Sequence, residues 1–210
     1  MYQFSRIILG FIVRILFRVR IYGRKNLIKP PYIIASNHAS YLDPPILGLI
    51  GGMHPVSFMA KKELFDMPVI GAWFRMVRCI AVKRGENSIK SLKDALEVLK
   101  EKRAIALFPE GTRSEDGALQ EAKRGVGFLI SKSRVPVVPV YIEGTQQALP
   151  KKGKIKWGAT VKAYVGRPIL PEDFISEGIN SREYARFSSS VMDNIAKIKS
   201  LHQAEDYRPS

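Results

Sequence analysis

Residues 32–45 read YIIASNHASYLDPP, and the way this stretch divides sets the architecture. Tyr32–Ser36 is a short apolar run bounded by Pro31 on one side and a polar turn on the other. It predicts a buried strand. Asp43-Pro44-Pro45 then predicts a helix start, with Asp43 as N-cap and proline at the first helical position. Ile46–Ile50 continues that helix until Gly51-Gly52 ends it.

The same rhythm recurs downstream. Val56–Ala60, Cys79–Val82, Ala104–Phe108, Val135–Ile142 and Thr160–Val165 are strand candidates. Pro68–Val77, Ser88–Lys100, Gly125–Lys132 and Ser181–Leu201 are helix candidates, the second with Ile89, Leu92, Leu96 and Leu99 on one face. The prolines of VPVVPVYI predict local edge exposure or a bulge. Strands alternating with helices imply an α/β fold: a layered mixed sheet flanked by helices. In such folds the functional loops gather at one end of the sheet. NHASYLD (37–43), CIAVKRG (79–85) and FPEGTRS (108–114) each contain or follow a strand candidate, so they are expected to meet in space.

The chain has 210 residues, 46% of them hydrophobic, enough for one substantial core. A single cysteine, Cys79, excludes an internal disulfide. Its expected role is a small apolar strand residue rather than an acyl carrier. The three histidines, His38, His54 and His202, are far apart, and no paired ligand spacing points to zinc. No metal or cofactor is expected.

A net charge of +15 implies an anionic partner: nucleic acid, anionic lipid or a phosphorylated substrate. Residues 1–42 contain seven of the basic residues, Arg6, Arg14, Arg18, Arg20, Arg24, Lys25 and Lys29, and no acidic one. On a helix over 2–20, Arg6, Gly10, Arg14 and Arg18 form one stripe. Phe4, Ile8, Phe11, Ile12, Ile15, Leu16 and Val19 cover the opposite face, with Ile7, Val13 and Phe17 intruding on the polar side. Such a helix would be about 28 Å long, against a hydrocarbon core of about 30 Å. Arg14 near its middle would cost about 2.5–3.5 kcal/mol to insert. A cleavable signal would need a small-residue cleavage site, which is lacking. The expectation is a membrane-interface helical segment over 1–28, lying on an anionic membrane surface, followed by an α/β domain over 29–210. A soluble core helix is the alternative. KKGKIKWG (151–158) mixes lysines with a tryptophan and reads as a second membrane contact, a docking site for an acidic partner, or a solvated loop.

His38 and Asp43 are the candidate base and its orienting carboxylate. Imidazole titrates near neutrality, and a carboxylate can fix its tautomer. On a continuous helix the two would lie about 140° apart, so the pair needs a turn before the helix. The competing reading is that Asp43 only caps. No G-x-S-x-G elbow is present, so an attacking hydroxyl would belong to the substrate. FPEGTRS offers a carboxylate (Glu110), a glycine turn (Gly111), a hydroxyl (Thr112) and a guanidinium (Arg113). Arg113 and Arg84 suit a phosphate, assisted by backbone N–H groups at Gly111.

NHASYLD, CIAVKRG, FPEGTRS and VPVVPVYIEG, in this order, resemble the four blocks of the glycerolipid acyltransferase family, in particular its bacterial 1-acyl-glycerol-3-phosphate acyltransferases. The resemblance covers about residues 30–170. It implies direct transfer from acyl-CoA or acyl-acyl carrier protein to the sn-2 hydroxyl of lysophosphatidic acid, without an acyl-enzyme. His38 would be the base and Asp43 its orienter. Glu110, Gly111, Thr112 and Arg113 fall in the acceptor-binding block, and Arg84 matches the phosphate-binding arginine of the second. Pro136 and Pro139 match the fourth. Where the family usually has a glycine ahead of that second-block arginine, this chain has Arg78. The implied place is the cytoplasmic face of the cell membrane. Glycerol-3-phosphate or another lysolipid is an alternative acceptor. A non-catalytic lipid-binding protein explains the basic N-terminus but not the three motifs together. A nucleic-acid binder explains only the charge.

Overall fold

The computed structural model describes residues 10–52, 54–76, 79–82, 88–150, 153–174 and 181–206. Its centre is a seven-stranded sheet: β1 (Arg18–Tyr22), β2 (Tyr32–Ser36), β3 (Val56–Lys61), β4 (Ile80–Val82), β5 (Ala104–Leu107), β6 (Val137–Glu143) and β7 (Thr160–Val165). The order across the sheet is β1-β7-β6-β2-β5-β3-β4. All pairs are parallel except β6–β7. Among the described residues the α-helices are α1 (10–16), α2 (Asp43–Ile50), α3 (Pro68–Met76), α4 (Ser88–Lys100), α5 (Arg124–Ser133), α6 (Thr145–Ala148) and α7 (Ser181–Asp206).

The central strands are buried on both faces, which is why YIIAS and AIAL are apolar without alternation. The pleat sends successive side chains to two cores. Ile33, Ala35, Ile105, Leu107 and Val137 pack with α4, α5 and α7. Tyr32, Ile34, Ala104, Ala106 and Val138 pack with residues of α1, α2 and α6.

The N-terminal helix departs from the expectation over 2–20. The part of that expectation on residues 2–9 lies outside the described residues. Helix α1 ends at residue 16, and Arg18–Tyr22 pairs with β7 as an edge strand. Val19 and Ile21 alternate with Arg18 and Arg20, a period of two that suits a half-covered strand. Residues 18–22, read as part of the interface segment, therefore belong to the sheet. The buried face of α1 also differs from the wheel. Val13 and Phe17, taken as intrusions, are core residues, while Phe11, Ile12 and Ile15 are exposed. Gly10 explains the rotation: a methyl there would lie 2.7 Å from Leu49 Cδ2, so glycine lets α1 lie close on α2.

Two smaller differences follow from packing. In α4, Leu92, Leu96 and Leu99 pack on the core as expected, but Ile89 is exposed and the buried positions also include Ser91, Ala95 and Val98. Strand β6 is interior rather than an edge. Pro139 is tolerated there because β7 pairs from Val140 onward, and the chain bulges between Val165 and Ile169, which bridges to Val137.

Candidate active site

The parallel neighbours β2 and β5 end side by side and deliver NHASYLD and FPEGTRS to the same end of the sheet. Asn37 begins the departure from β2. Its Nδ2 donates to the Ile142 carbonyl and its Oδ1 accepts the Ile142 N–H, both at 2.8 Å. The side chain thus replaces one backbone rung to β6 and frees the main chain to turn. The two loops are then clamped together. The His38 N–H donates to Glu110 Oε1 (3.1 Å), and the Ser114 N–H donates to the His38 carbonyl (2.8 Å).

Asp43 is fully buried, and one oxygen, Oδ2, does three jobs. It accepts the Ala39 and Ser40 N–H groups at 2.8 Å each and meets His38 Nδ1 at 2.8 Å. A carboxylate oxygen taking two N–H donors is an acceptor, so the network puts the histidine proton on Nδ1 and leaves the Nε2 lone pair free. Asp43 is not the N-cap expected from DPP. Leu42 occupies that position without a side-chain cap, Asp43 itself takes the first helical position that proline was expected to hold, and Pro44 and Pro45 follow within the first turn, where an N–H is dispensable. The carboxylate turns back to organise the preceding loop. The imidazole is further fixed by stacking on Phe108, with centroids 3.8 Å apart and planes 12° apart.

Glu110 is 2% exposed, and its Oε2 has no hydrogen-bond partner. Burial pushes its carboxyl up to about 7; the His38 N–H pulls the other way, and the nearby Asp43 charge adds to the rise. Gly111 has φ +69° and carries Lys123 across it. A methyl there would lie 2.9 Å from Lys123 Cδ, and Lys123 is itself pinned by its N–H to the Pro109 carbonyl (2.8 Å). Thr112 is exposed, with Oγ1 3.4 Å from Gln120 Oε1. The Arg113 guanidinium lies over the Tyr41 ring, Cζ 3.6 Å from the centroid. Its Nη1 is buried without a hydrogen-bond partner. Stacking leaves the in-plane N–H fork available for an oxyanion.

Thus His38, Asp43, Glu110, Gly111 and Arg113 are brought to one loop cluster, and Thr112 sits on its exposed side. Arg84 lies outside the described residues. Pro136 and Pro139 serve β6, the Pro136 carbonyl accepting the Ile33 N–H (2.9 Å). Burial pushes the Cys79 thiol up to about 12, which leaves it un-ionised and a poor acyl acceptor. Asn37, Tyr41, Phe108, Ser114 and Lys123 also build the site. The first four stand inside the quoted motifs, where position beside His38 or Arg113 was the available signal. Lys123 carried no local signal, because its relation to Gly111 is a fold contact.

A base with a free lone pair, on a loop hydrogen-bonded to the one that carries a guanidinium, can deprotonate a hydroxyl on a phosphorylated molecule. The comparisons agree in kind. The Acyltransferase family model matches residues 18–143, from the first residue of β1 to the last of β6. A 1-acyl-sn-glycerol-3-phosphate acyltransferase of Bacillus subtilis is 32% identical over 178 residues, covering 83% of this chain and 85% of that protein. The chloroplastic enzyme BAT2 of Brassica napus, also named a 1-acyl-sn-glycerol-3-phosphate acyltransferase, is 33% identical over 159 residues, 73% of this chain but only 45% of the longer relative. The crystal structure of the 1-acyl-sn-glycerophosphate (LPA) acyltransferase PlsC from Thermotoga maritima superposes with a TM-score of 0.74 at 28% identity, covering 91% of this chain and 73% of that one. Matched over more than half its length, and carrying the motif loops on a sheet of the same plan, this chain belongs to the Acyltransferase family.

Proposed function

We propose that the protein transfers a fatty acyl group from a thioester donor to the sn-2 hydroxyl of lysophosphatidic acid, giving phosphatidic acid. The observation that carries this is the His38–Asp43 contact of 2.8 Å, which leaves Nε2 free, on a loop that the Ser114 N–H, next to Arg113 in the chain, clamps at the His38 carbonyl. In this reading Nε2 takes the hydroxyl proton as the oxygen attacks the thioester carbonyl. The carbon–sulfur bond breaks, and the imidazolium returns its proton to the departing thiolate. Asp43 holds the imidazole and stabilises its cationic form. Arg113, with Arg84, Glu110, Gly111 and Thr112, takes the glycerol phosphate. The thioester is already an activated carbonyl, so the step asks for no metal and no nucleotide. The donor is acyl-CoA or acyl-acyl carrier protein.

The acceptor is a bilayer lipid, so the site works against an anionic membrane surface, at its cytoplasmic face where such donors are made. Among the described residues no helix is long and apolar enough to cross a membrane. The support for surface docking is the outward face of α1, where Phe11 and Ile15 are 65% and 64% exposed beside Arg14. The test is a panel of acceptors against both donors, run with wild type and His38→Ala. Lysophosphatidic acid as the preferred acceptor, with transfer lost in His38→Ala, supports the reading. Preference for glycerol-3-phosphate or an unphosphorylated lysolipid overturns the acceptor assignment.

A further inference from the structure

We propose that the 153–158 loop is a second membrane foot, which seats Trp157 in an anionic bilayer and sets the height of the catalytic loop above it. The loop exposes Trp157 (64%) and Ile155 (40%), with exposed Lys154 and Lys156 alternating between them. Large apolar groups interleaved with lysines suit the headgroup boundary, where the ring sits at the interface and the ammoniums meet lipid phosphates.

Its position favours a bilayer over an acidic protein. Trp157 stacks on Phe17 (6.2 Å, 23°) just past the end of α1, and the Gly158 N–H donates to the Leu16 carbonyl at 2.8 Å. The outward Phe11, Ile12 and Ile15 of α1 and the exposed Ile155 and Trp157 therefore spread from one junction. Arg18, whose N–H donates to the Ala159 carbonyl (3.0 Å), follows directly on that junction, Arg14 lies one turn earlier on α1 and Arg20 two residues on in β1, and all three are exposed. A carboxylate-rich partner would match the cations but leave these apolar groups in water.

The loop also reaches the site. The Lys156 N–H donates to the Ala148 carbonyl (2.8 Å), and the next carbonyl, Leu149, accepts Ser40 Oγ (2.7 Å). The Ser40 N–H in turn lies on Asp43 Oδ2. A membrane load on Trp157 thus bears on the residues that hold the histidine.

This goes beyond the docking of α1, and the experiment separates the two. In full-length Trp73→Phe protein, Trp157 is the sole tryptophan. Its emission should shift to the blue and be quenched by phosphatidylglycerol vesicles carrying brominated acyl chains. Trp157→Phe, which keeps an aromatic partner for Phe17, should abolish the vesicle-dependent tryptophan signal in otherwise wild-type protein. Lys154→Gln with Lys156→Gln should weaken binding to anionic vesicles about thirtyfold, at roughly 1 kcal/mol per cation, and barely change binding to phosphatidylcholine. The same double variant should acylate a dispersed short-chain lysophosphatidic acid at the wild-type rate. Ile12→Ser with Ile15→Ser should reduce the bound fraction yet leave Trp157 quenched in what remains bound. Sedimentation of the protein with vesicles while Trp157 stays unquenched overturns the proposal. So does an emission shift caused by acyl carrier protein and not by vesicles, which would make the loop a protein-docking site.

Discussion

Asp43 and Trp157 stand at the two ends of one hydrogen-bonded path, and their surroundings are opposite. Asp43 is fully buried, with three contacts on one oxygen. Trp157 is mostly exposed and leans on a single aromatic ring. The buried end must hold an imidazole to within a fraction of an ångström, so its geometry is over-determined. The exposed end must keep apolar surface available, so it gives up burial that would have stabilised the fold. Errors at the first end should appear in the chemistry, and errors at the second in where the protein resides.

The largest expected effect breaks the comparison if it fails. His38→Ala should lower the single-turnover rate by about a thousandfold, within the usual range for a general base, with little change in stability. Near-wild-type turnover would remove the catalytic end altogether. Asn37→Ala comes next. It strands the Ile142 N–H and carbonyl at a buried site, and we expect a loss of about 2–4 kcal/mol in urea unfolding together with reduced kcat. Full stability would mean that the rung from Asn37 to β6 is dispensable.

Tyr41 sharpens the comparison, because it is an exposed residue inside the loop that carries His38 and Asp43. Tyr41→Leu removes the face on which Arg113 lies, and KM for lysophosphatidic acid should rise about two- to fivefold, from a cation–π contribution of about 0.5–1 kcal/mol. Tyr41→Phe should restore it, and KM for the donor should stay constant in both. Equal losses for acceptor and donor would count against a role through Arg113.

The last effect concerns pH. Glu110 has an ordinary value of 4.5 and is pushed up to about 7 in the fold. Its favourable contribution is complete below about 4.5 and is lost as pH rises through about 7, because the buried carboxyl must then ionise. The denaturation midpoint of the wild type should fall across that window relative to Glu110→Gln, whose amide oxygen can still accept the His38 N–H. Parallel profiles would show that Glu110 is ionised without cost.

Much of the architecture was legible in the chain. YIIAS read as a buried strand, and AIAL and the run of β6 as strands, from short apolar runs without alternation; that β6 lies inside the sheet rather than at an edge came only from the strand order. The order of motifs after strands was enough to expect that NHASYLD and FPEGTRS meet, while residues 83–85 of CIAVKRG lie outside the described residues. The errors share a cause. RILFRVRIY satisfies a helical and an alternating pattern at once, and pairing with β7 tips residues 18–22 to strand. In α4, Leu92, Leu96 and Leu99 pack on the core as their spacing suggests, but Ile89 is exposed and Ser91, Ala95 and Val98 share the buried face.

The site divides along the same line. Residue types and spacing singled out His38, Asp43, Glu110 and Arg113, because a base, a carboxylate and a guanidinium are local chemical facts. The direction of the Asp43 carboxylate was not local. DPP is compatible with a cap, yet the carboxylate points back to two N–H groups and an imidazole that the turn converges upon it. Nor could spacing show that Lys123 lies over Gly111, that Arg113 rests on Tyr41, or that Trp157 stands beside α1. Those contacts join segments far apart in the chain, and long-range contacts are settled by which strands lie side by side in the folded sheet.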